Sequence, residues 1–220
     1  FHISDDGNEK VKILTKGLGA HASTPEKGKN AITALFLLLS SMPFAQCQGL
    51  DVIKALSKIF PHADYYGEAA GIKMSDEISG ELTLSFNIFE YTQTKFKGYA
   101  DCRIPICATK ENTMKVLYSK FREAGIRVTC SEFNKAHHTP EDLPFVQTLL
   151  SAYEKYTGRK GYCMHVGGGT YVHGIDGGVS FGCAMPGVDA NVHGADEFVV
   201  IDDIITAAKI FAQAIIDLCS

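Results

Sequence analysis

The sequence lacks the features that would assign the protein to a membrane or to a nucleic acid. It contains no run of about eighteen uncharged apolar residues, so no membrane-spanning segment is expected. Basic residues are not in excess: the formal net charge is −4, whereas a dedicated nucleic-acid-binding domain usually carries a basic patch. No charged region followed by an apolar stretch comes after Phe1, so no signal peptide is visible. Because the chain starts at Phe1 rather than at Met, we expect it to be part of a longer protein that could carry targeting information upstream.

Cysteine occurs seven times but never in a C-x-x-C pair. The positions are Cys47, Cys102, Cys107, Cys130, Cys163, Cys183 and Cys219. An odd count without paired spacing argues against a cysteine-based zinc site. Most of these residues stand in apolar runs, which predicts reduced, buried thiols in a cytoplasmic protein.

Hydrophobic periodicity predicts an α+β fold in the first half of the chain. Hydrophobic residues make up 45% and charged residues 21%, as in ordinary globular domains. Strands are predicted at 11–14, 82–88, 96–106 and 126–130, the second because Leu82, Leu84, Phe86 and Ile88 alternate with polar residues. A buried helix is predicted from about Lys29 to Met42, and further helices at 51–59 and at 114–124. Apart from the 51–59 helix, this order is β-α-β-β-α-β, the order of a ferredoxin-like domain with a helix-covered antiparallel sheet.

A domain boundary is predicted near residues 137–144, where two prolines and a polar cluster interrupt the pattern. Residues 1–138 would form the first domain and 139–220 the second. In the second half we predict a helix at 145–156 ended by Gly158, strands at 163–166 and 179–182, and a last helix from about Asp202. Residues 139–220, in this order of elements, are too few to cover an α/β sheet on both faces, so this half is expected to be incomplete.

Two glycine- and histidine-containing segments of the second half are candidates for chemistry. Gly167–Thr170 follows a predicted strand, and its glycines would let backbone N–H groups approach an anion, although a plain glycine-rich turn is the alternative. No Gly-Lys-Ser/Thr follows, so it is not a phosphate loop. His193 stands three residues before Asp196 and four before Glu197, as a metal ligand with a neighbouring carboxylate would, or as a chance surface histidine.

In the first half, His21 and Arg103 are the candidates. His21 lies between a strand and a helix among small neighbours, which suits a side chain that reaches out of its domain, although a capped helix start with an incidental histidine would look the same. Arg103 lies on the polar face of a strand, where an ion pair with Asp101 or Glu90 is the usual explanation. The other histidines considered, His2, His62, His137, His138 and His165, are interpreted as surface or core residues.

Four segments taken together resemble the zinc aminopeptidase/deacylase family, which includes carnosinases, succinyl-diaminopimelate desuccinylase and bacterial PepV-type Xaa-His dipeptidases. The segment 17–31, GLGAHASTPEKGKNA, is similar to the lid-domain signature of the family. Gly167–Tyr171, His193–Glu197 and the closing Ile201–Asp203 resemble later family motifs in the same order. The resemblance covers nearly the whole chain and is greatest to the PepV-type branch.

The resemblance implies a lid domain followed by the returning end of a catalytic domain. It further implies His193 as a zinc ligand and His21 as the residue that stabilises the oxyanion when the amide is attacked. By the same resemblance Arg103, Gly168, Gly169 and Thr170 bind the terminal carboxylate of a small peptide substrate. Two zinc ions, with manganese or cobalt as alternatives, would be the cofactors, and a homodimer through the lid domain is possible.

The resemblance has two gaps. The remaining metal ligands and the general base of the family precede the lid, and this chain has no such segment. Related dipeptidases also often have an arginine near the position of His173. We therefore expect a dipeptidase fragment that is inactive alone. The alternatives are a deacylase or carboxypeptidase of the same family, and a non-catalytic binding or dimerisation module with the lid fold.

Overall fold

The computed structural model of the protein describes residues 1–7, 10–129, 133–182, 184–192 and 196–220. The chain divides into two compact units. The first unit contains residues 1–136 and 165–168, and the second contains 137–164 and 169–220. The first mixes helices with small sheets, whereas the described part of the second is built on helices. Their assignment as a lid and part of a catalytic domain stays a prediction.

The strands of the first unit pair into three separate two-stranded antiparallel sheets. β1 (His2–Gly7) pairs with β2 (Lys10–Leu14), β3 (Ser75–Asp76) with β4 (Gly80–Glu81), and β5 (Thr83–Tyr91) with β6 (Phe96–Arg103). The single ferredoxin-like sheet is therefore not confirmed in the described residues. The strand predicted from residue 126 is wrong for 126–129, because the Ile126 N–H bonds to the Phe121 carbonyl of the preceding helix instead of to a strand.

The helices predicted in the first unit are confirmed. They are α1 (Ala31–Ser41), α2 (Gln48–Ile59) and α3 (Met114–Glu123). The Asn30 side chain caps the start of α1 by accepting hydrogen bonds from the N–H groups of Ile32 and Thr33. N–H groups in the first turn of a helix have no carbonyl partner within the helix. Helix α1 was expected to be buried, yet only Thr33 and Phe36 are, and Leu37 is 55% exposed.

The core of the first unit lies between the helices and one face of the β5–β6 pair. Its buried members are Phe36, Leu56, Ile59, Phe60, Ala70, Ile72, Leu82, Leu84, Phe86 and Ile126. The aromatic rings pack closely, with 4.7 Å between the centroids of Phe60 and Phe86. Leu82, Leu84 and Phe86 occupy the inward positions that their alternation predicts.

Beyond Phe86 the predicted alternation fails. Phe86 pairs with Ala100 but Ile88 pairs with Tyr99, so Asn87 is an extra residue in β5. A β-bulge of this kind moves every later side chain to the opposite face. Ile88, predicted to point inward, is 54% exposed, and Phe89 packs on the core in its place.

The second unit is centred on two packed helices, α4 (Pro144–Thr157) and α5 (Ile201–Cys219), both near their predicted positions. Leu149 and Ala152 of α4 pack against Ile210 and Ala214 of α5. Gly158 ends α4 in the left-handed conformation, with φ of 66°, as predicted for a helix stop.

The strands predicted at 163–166 and 179–182 are wrong. Both segments are described and neither has a strand beside it among the described residues. An apolar run shows that a segment suits a sheet, but a strand also needs a hydrogen-bonded neighbour, which the run does not specify.

The expectation of buried cysteines is also wrong for most of those described. Cys47, Cys107, Cys163 and Cys219 are exposed thiols, and only Cys102 is partly buried; Cys130 and Cys183 lie outside the described residues. Cys47 and Cys219 lie at helix ends and Cys107 in a turn, where apolar neighbours in sequence do not enclose a side chain. No helix in the described ranges is long and apolar enough to cross a membrane.

Candidate functional site

The segment that carries His21 is a closed loop. Leu18 and Lys29 exchange two backbone hydrogen bonds of 3.0 and 2.9 Å, which hold the two ends of the loop together. Glycine is required at this neck, because a Cβ on Gly17 would lie 2.2 Å from the Lys29 carbonyl oxygen, and one on Gly28 would lie 2.8 Å from that of Leu18. Gly17 and Gly28 therefore allow the loop to close.

His21 is exposed at the tip of this loop, in a turn in which its carbonyl accepts a hydrogen bond from the Thr24 N–H. Its Nδ1 lies 2.7 Å from the Ser23 hydroxyl and 3.3 Å from the Ser23 backbone nitrogen, which donates to it. The imidazole is thus held by its own turn.

Two contacts fix the loop against the rest of the first unit. The buried Thr83 hydroxyl donates a 3.0 Å hydrogen bond to the Ala22 carbonyl, and a Cβ on Gly167 would lie 2.4 Å from the Cβ of Ser23. Thr83 is also the cross-strand partner of Arg103, so their side chains share one face of the β5–β6 pair. The first unit therefore brings together three segments predicted to be functional: His21, Arg103 and Gly167–Gly168.

Arg103 is engaged in an ion pair. Its Nε and Nη2 donate hydrogen bonds of 2.6 and 2.9 Å to the two carboxylate oxygens of Asp101. Both side chains are about one-third exposed, at 35% and 31%. This is the salt bridge that the strand position alone suggested, and a substrate carboxylate would have to share the guanidinium with Asp101 or displace it.

Between these two residues, Cys102 points to the core side of β6. Burial raises the pKa of the Cys102 thiol to about 12, which favours the neutral, weakly nucleophilic form of this group. Burial, reinforced by Glu26 of the His21 loop and by Glu81, also raises the pKa of Tyr66, whose phenol stays protonated.

The remaining predicted site residues are Gly169, Thr170 and His193. Gly169 and Thr170 belong to the second unit. There the Thr170 carbonyl accepts a hydrogen bond from the His173 N–H, and neighbouring Tyr171 is fully exposed. His193, the predicted metal ligand, lies outside the described residues.

Comparison with known proteins gives relatives along almost the whole chain. A Beta-Ala-Xaa dipeptidase of Lactobacillus delbrueckii subsp. lactis is 36% identical over 220 residues, which are 99% of this chain and 45% of that protein. A Bacillus subtilis protein named "Putative dipeptidase YtjP" is 34% identical over 213 residues, 96% of this chain and 45% of that protein. The chain is a homologue of bacterial dipeptidases. It spans about 45% of the length of these dipeptidase relatives.

Two further comparisons add little to this dipeptidase relationship. No family model matches the chain. Among solved structures, an M20 family metallo-carboxypeptidase from Sulfolobus solfataricus superposes with a TM-score of 0.47 and 17% identity, over 90% of this chain and 56% of that one.

The described residues of this dipeptidase homologue do not form a metal site by themselves. Within the described ranges no group of three or more His, Cys, Asp or Glu side chains could hold a metal ion. A catalytic zinc site needs three protein ligands, so the described residues do not complete one on their own.

Sequence reasoning missed several residues that organise the dipeptidase homologue. Ser23 and Thr83 position the His21 loop, and apart from the small size of Ser23 the local sequence carries no signal for either role. Asn30 carried a detectable signal, because asparagine before an apolar helical run is a preferred N-cap. In the second unit His137, interpreted from the sequence as a surface or core residue, lies with its Nε2 2.7 Å from the Gly178 carbonyl oxygen and its ring 6.1 Å from that of His173.

Proposed function

We propose that the chain supplies the lid and the C-terminal part of the catalytic domain of a cytoplasmic, metal-dependent dipeptidase that cleaves Xaa-His-like dipeptides. The observation that carries this proposal is the convergence of His21, Arg103 and Gly167–Gly168 in one unit of a dipeptidase homologue. These segments are far apart in sequence, and their packing supports a common role.

In the proposed reaction His21 acts on the scissile carbonyl. As the amide is attacked, negative charge develops on the carbonyl oxygen, and a hydrogen bond donated by the imidazole stabilises that charge. Its exposed position at the tip of a closed loop suits a side chain that acts on a bound peptide. The short turn around it limits the motion that would weaken this stabilisation.

Arg103, Gly168, Gly169 and Thr170 are proposed to bind the C-terminal carboxylate of the dipeptide. A guanidinium matches a carboxylate with two parallel hydrogen bonds, and glycine backbone N–H groups can approach it closely. In this scheme Asp101 holds the Arg103 fork in position until the substrate carboxylate shares it. A Cβ added at Gly168 would lie no closer than 3.8 Å to any neighbouring atom, so the space around this glycine is open.

His193 is proposed as one ligand of a metal centre whose remaining ligands the described residues do not supply. Two zinc ions are proposed, with manganese or cobalt as substitutes. When bound, such ions would polarise the peptide carbonyl and supply hydroxide. A homodimer through the first unit remains part of the proposal.

The proposal is tested with the full-length protein and a panel of dipeptides that includes β-alanyl and Xaa-His substrates. Hydrolysis that is lost after chelation and restored by zinc is expected. Hydrolysis of acylated amino acids or longer peptides, but not of dipeptides, would identify a deacylase or carboxypeptidase instead. A full-length protein that binds peptide and cleaves nothing after zinc loading would identify the non-catalytic module.

A further inference from the structure

The hydrogen bonds of His21 fix where its ring proton lies. The Ser23 backbone N–H donates to Nδ1 at 3.3 Å, and a backbone N–H can only donate. Nδ1 must therefore carry a lone pair. The Ser23 hydroxyl, 2.7 Å from the same nitrogen, then donates as well. With Nδ1 an acceptor, the proton of the neutral imidazole is on Nε2.

An imidazole with its proton on Nε2 is the form that the proposed reaction needs. Nε2 lies on the side of the ring away from the His21–Ser23 turn and would donate to a developing oxyanion. The opposite tautomer would present a lone pair on Nε2 and repel the same charge. The backbone N–H and the hydroxyl of Ser23, both directed at Nδ1, therefore favour the tautomer in which His21 donates from Nε2.

Ser23 packs closely against Gly167. A Cβ at position 167 would lie 2.4 Å from the Ser23 Cβ and 3.2 Å from its Oγ, distances at which the serine would have to move. The backbone of Gly167 thus closes one side of the space in which the Ser23 hydroxyl can lie. Gly167 and Ser23 are therefore in contact, although they lie 144 positions apart in the sequence.

We propose that Ser23, backed by Gly167, is a positioning residue that sets the Nε2-protonated tautomer and the ring orientation of His21 for oxyanion stabilisation. The inference rests on the proposed function of His21. By this inference Ser23 and Gly167, small residues of two separate motifs, together make the His21 imidazole a hydrogen-bond donor at Nε2.

The test uses ¹⁵N NMR of the full-length protein at neutral pH, with the His21 signals identified by their loss in His21→Gln. We expect Nδ1 to show the shift of an unprotonated, hydrogen-bonded ring nitrogen and Nε2 that of a protonated one. In Ser23→Ala and Gly167→Ala the Nδ1 signal should move, because the hydroxyl is removed or displaced. In the same variants kcat should fall about tenfold or more with KM near wild type, as when a residue that orients a functional histidine is lost.

Two matched controls separate positioning from general damage. Gly19→Ala adds a methyl group to the same loop where no atom lies within 4 Å, and Ser41→Ala removes a hydroxyl that donates to the Leu38 carbonyl. Both should keep the wild-type Nδ1 signal and kcat. A wild-type proton on Nδ1, or unchanged Nδ1 signal and kcat in both Ser23→Ala and Gly167→Ala, would overturn the inference. A protein that hydrolyses no dipeptide would refute the proposed function, whereas the NMR result would still decide the tautomer.

Discussion

The Asn30 side chain joins the start of α1 to the middle of β5. Its Nδ2 donates a 2.8 Å hydrogen bond to the Phe86 carbonyl, while its Oδ1 accepts from the N–H groups of Ile32 and Thr33. Phe86 is the last inward residue before the bulge at Asn87. One amide therefore caps a helix and binds the strand at the point where its register changes.

Asn30→Ala should destabilise the first unit by about 2 kcal/mol, since it removes a helix cap and leaves a partly buried carbonyl unpaired. Asn30→Asp is the matched comparison, because it keeps the capping oxygen and loses only the donor to Phe86. It should unfold between wild type and Asn30→Ala in urea. If Asn30→Asp is as stable as wild type, the Phe86 hydrogen bond contributes nothing measurable.

Asp76 predicts a dependence of stability on pH. The Ser79 backbone N–H is the main cause of a lowered Asp76 pKa, which the Ser79 hydroxyl and the N–H groups of Cys107 and Ile78 lower further. Because the folded pKa lies below the unfolded value of about 3.9, the carboxylate stabilises the fold above that pH, and the contribution is lost as pH falls through the folded pKa. Asp76→Asn should therefore lower Tm at pH 7, and the difference should shrink below about pH 4.

The control for Asp76 is Glu77→Gln, which removes one negative charge from the same exposed turn without touching these hydrogen bonds. Its Tm should follow wild type across the pH range. An equal loss of Tm in both variants, shrinking in the same way as pH falls, would mean that net charge, and not the hydrogen-bonded Asp76 carboxylate, sets the effect.

The sequence predicted the helices better than the sheets for a physical reason. Each helix satisfies its own backbone, so the spacing of apolar residues in α3 or α4 and a stop such as Gly158 are local information. A strand depends on a partner elsewhere in the chain. The alternation of Leu82, Leu84 and Phe86 identified a strand, but no feature of the neighbouring sequence indicated the bulge that exposes Ile88.

The candidate site likewise combines residues that the sequence indicated with long-range contacts that it did not indicate. His21 and Arg103 were selected by their motifs, and their roles stay predictions. The contacts that join their segments, Thr83 with Ala22 and Ser23 with Gly167, connect residues about 60 and 144 positions apart and have no local signal. Arg103 shows that a residue chosen by motif can also have the structural partner that its strand position suggests, here Asp101.

The isolated 220-residue chain is expected to have no peptidase activity. It offers His193 as one candidate ligand, and a catalytic zinc site needs three protein ligands and a water. The purified chain should leave β-alanyl and Xaa-His dipeptides intact after incubation with zinc, while the full-length protein cleaves them. Cleavage by the chain alone that resists the removal of contaminating peptidases would contradict this expectation.

In the full-length protein, His193→Ala and His21→Ala should fail in different ways. His193→Ala should lose bound metal, because a ligand is removed. His21→Ala should keep its metal and lose about 10²- to 10³-fold in kcat, the effect of removing one oxyanion donor. Metal analysis and steady-state kinetics measure both, with His138→Ala as an exposed control histidine. Wild-type metal content in His193→Ala would refute the ligand assignment.

Arg103 separates a substrate-binding role from a structural one. A partly exposed ion pair with Asp101 contributes about 0–1 kcal/mol to stability, so Arg103→Ala should melt within a few degrees of wild type. If Arg103 binds the substrate carboxylate, the same variant should lose at least about tenfold in kcat/KM for a dipeptide. The loss should be smaller for the C-terminal amide of that dipeptide, which offers no charged partner.

Asp101→Asn and Arg122→Ala complete the Arg103 test. Asp101→Asn keeps the guanidinium but removes the carboxylate that holds it, so it should raise KM for the acid substrate through a less ordered Arg103 and leave the amide substrate nearly unchanged. Arg122 is an exposed arginine that forms no ion pair within the described residues, and its loss should change neither substrate. Equal losses on acid and amide substrates in Arg103→Ala would show that Arg103 acts through the Asp101 pair and the shape of β6, because only a carboxylate clamp distinguishes the two substrates.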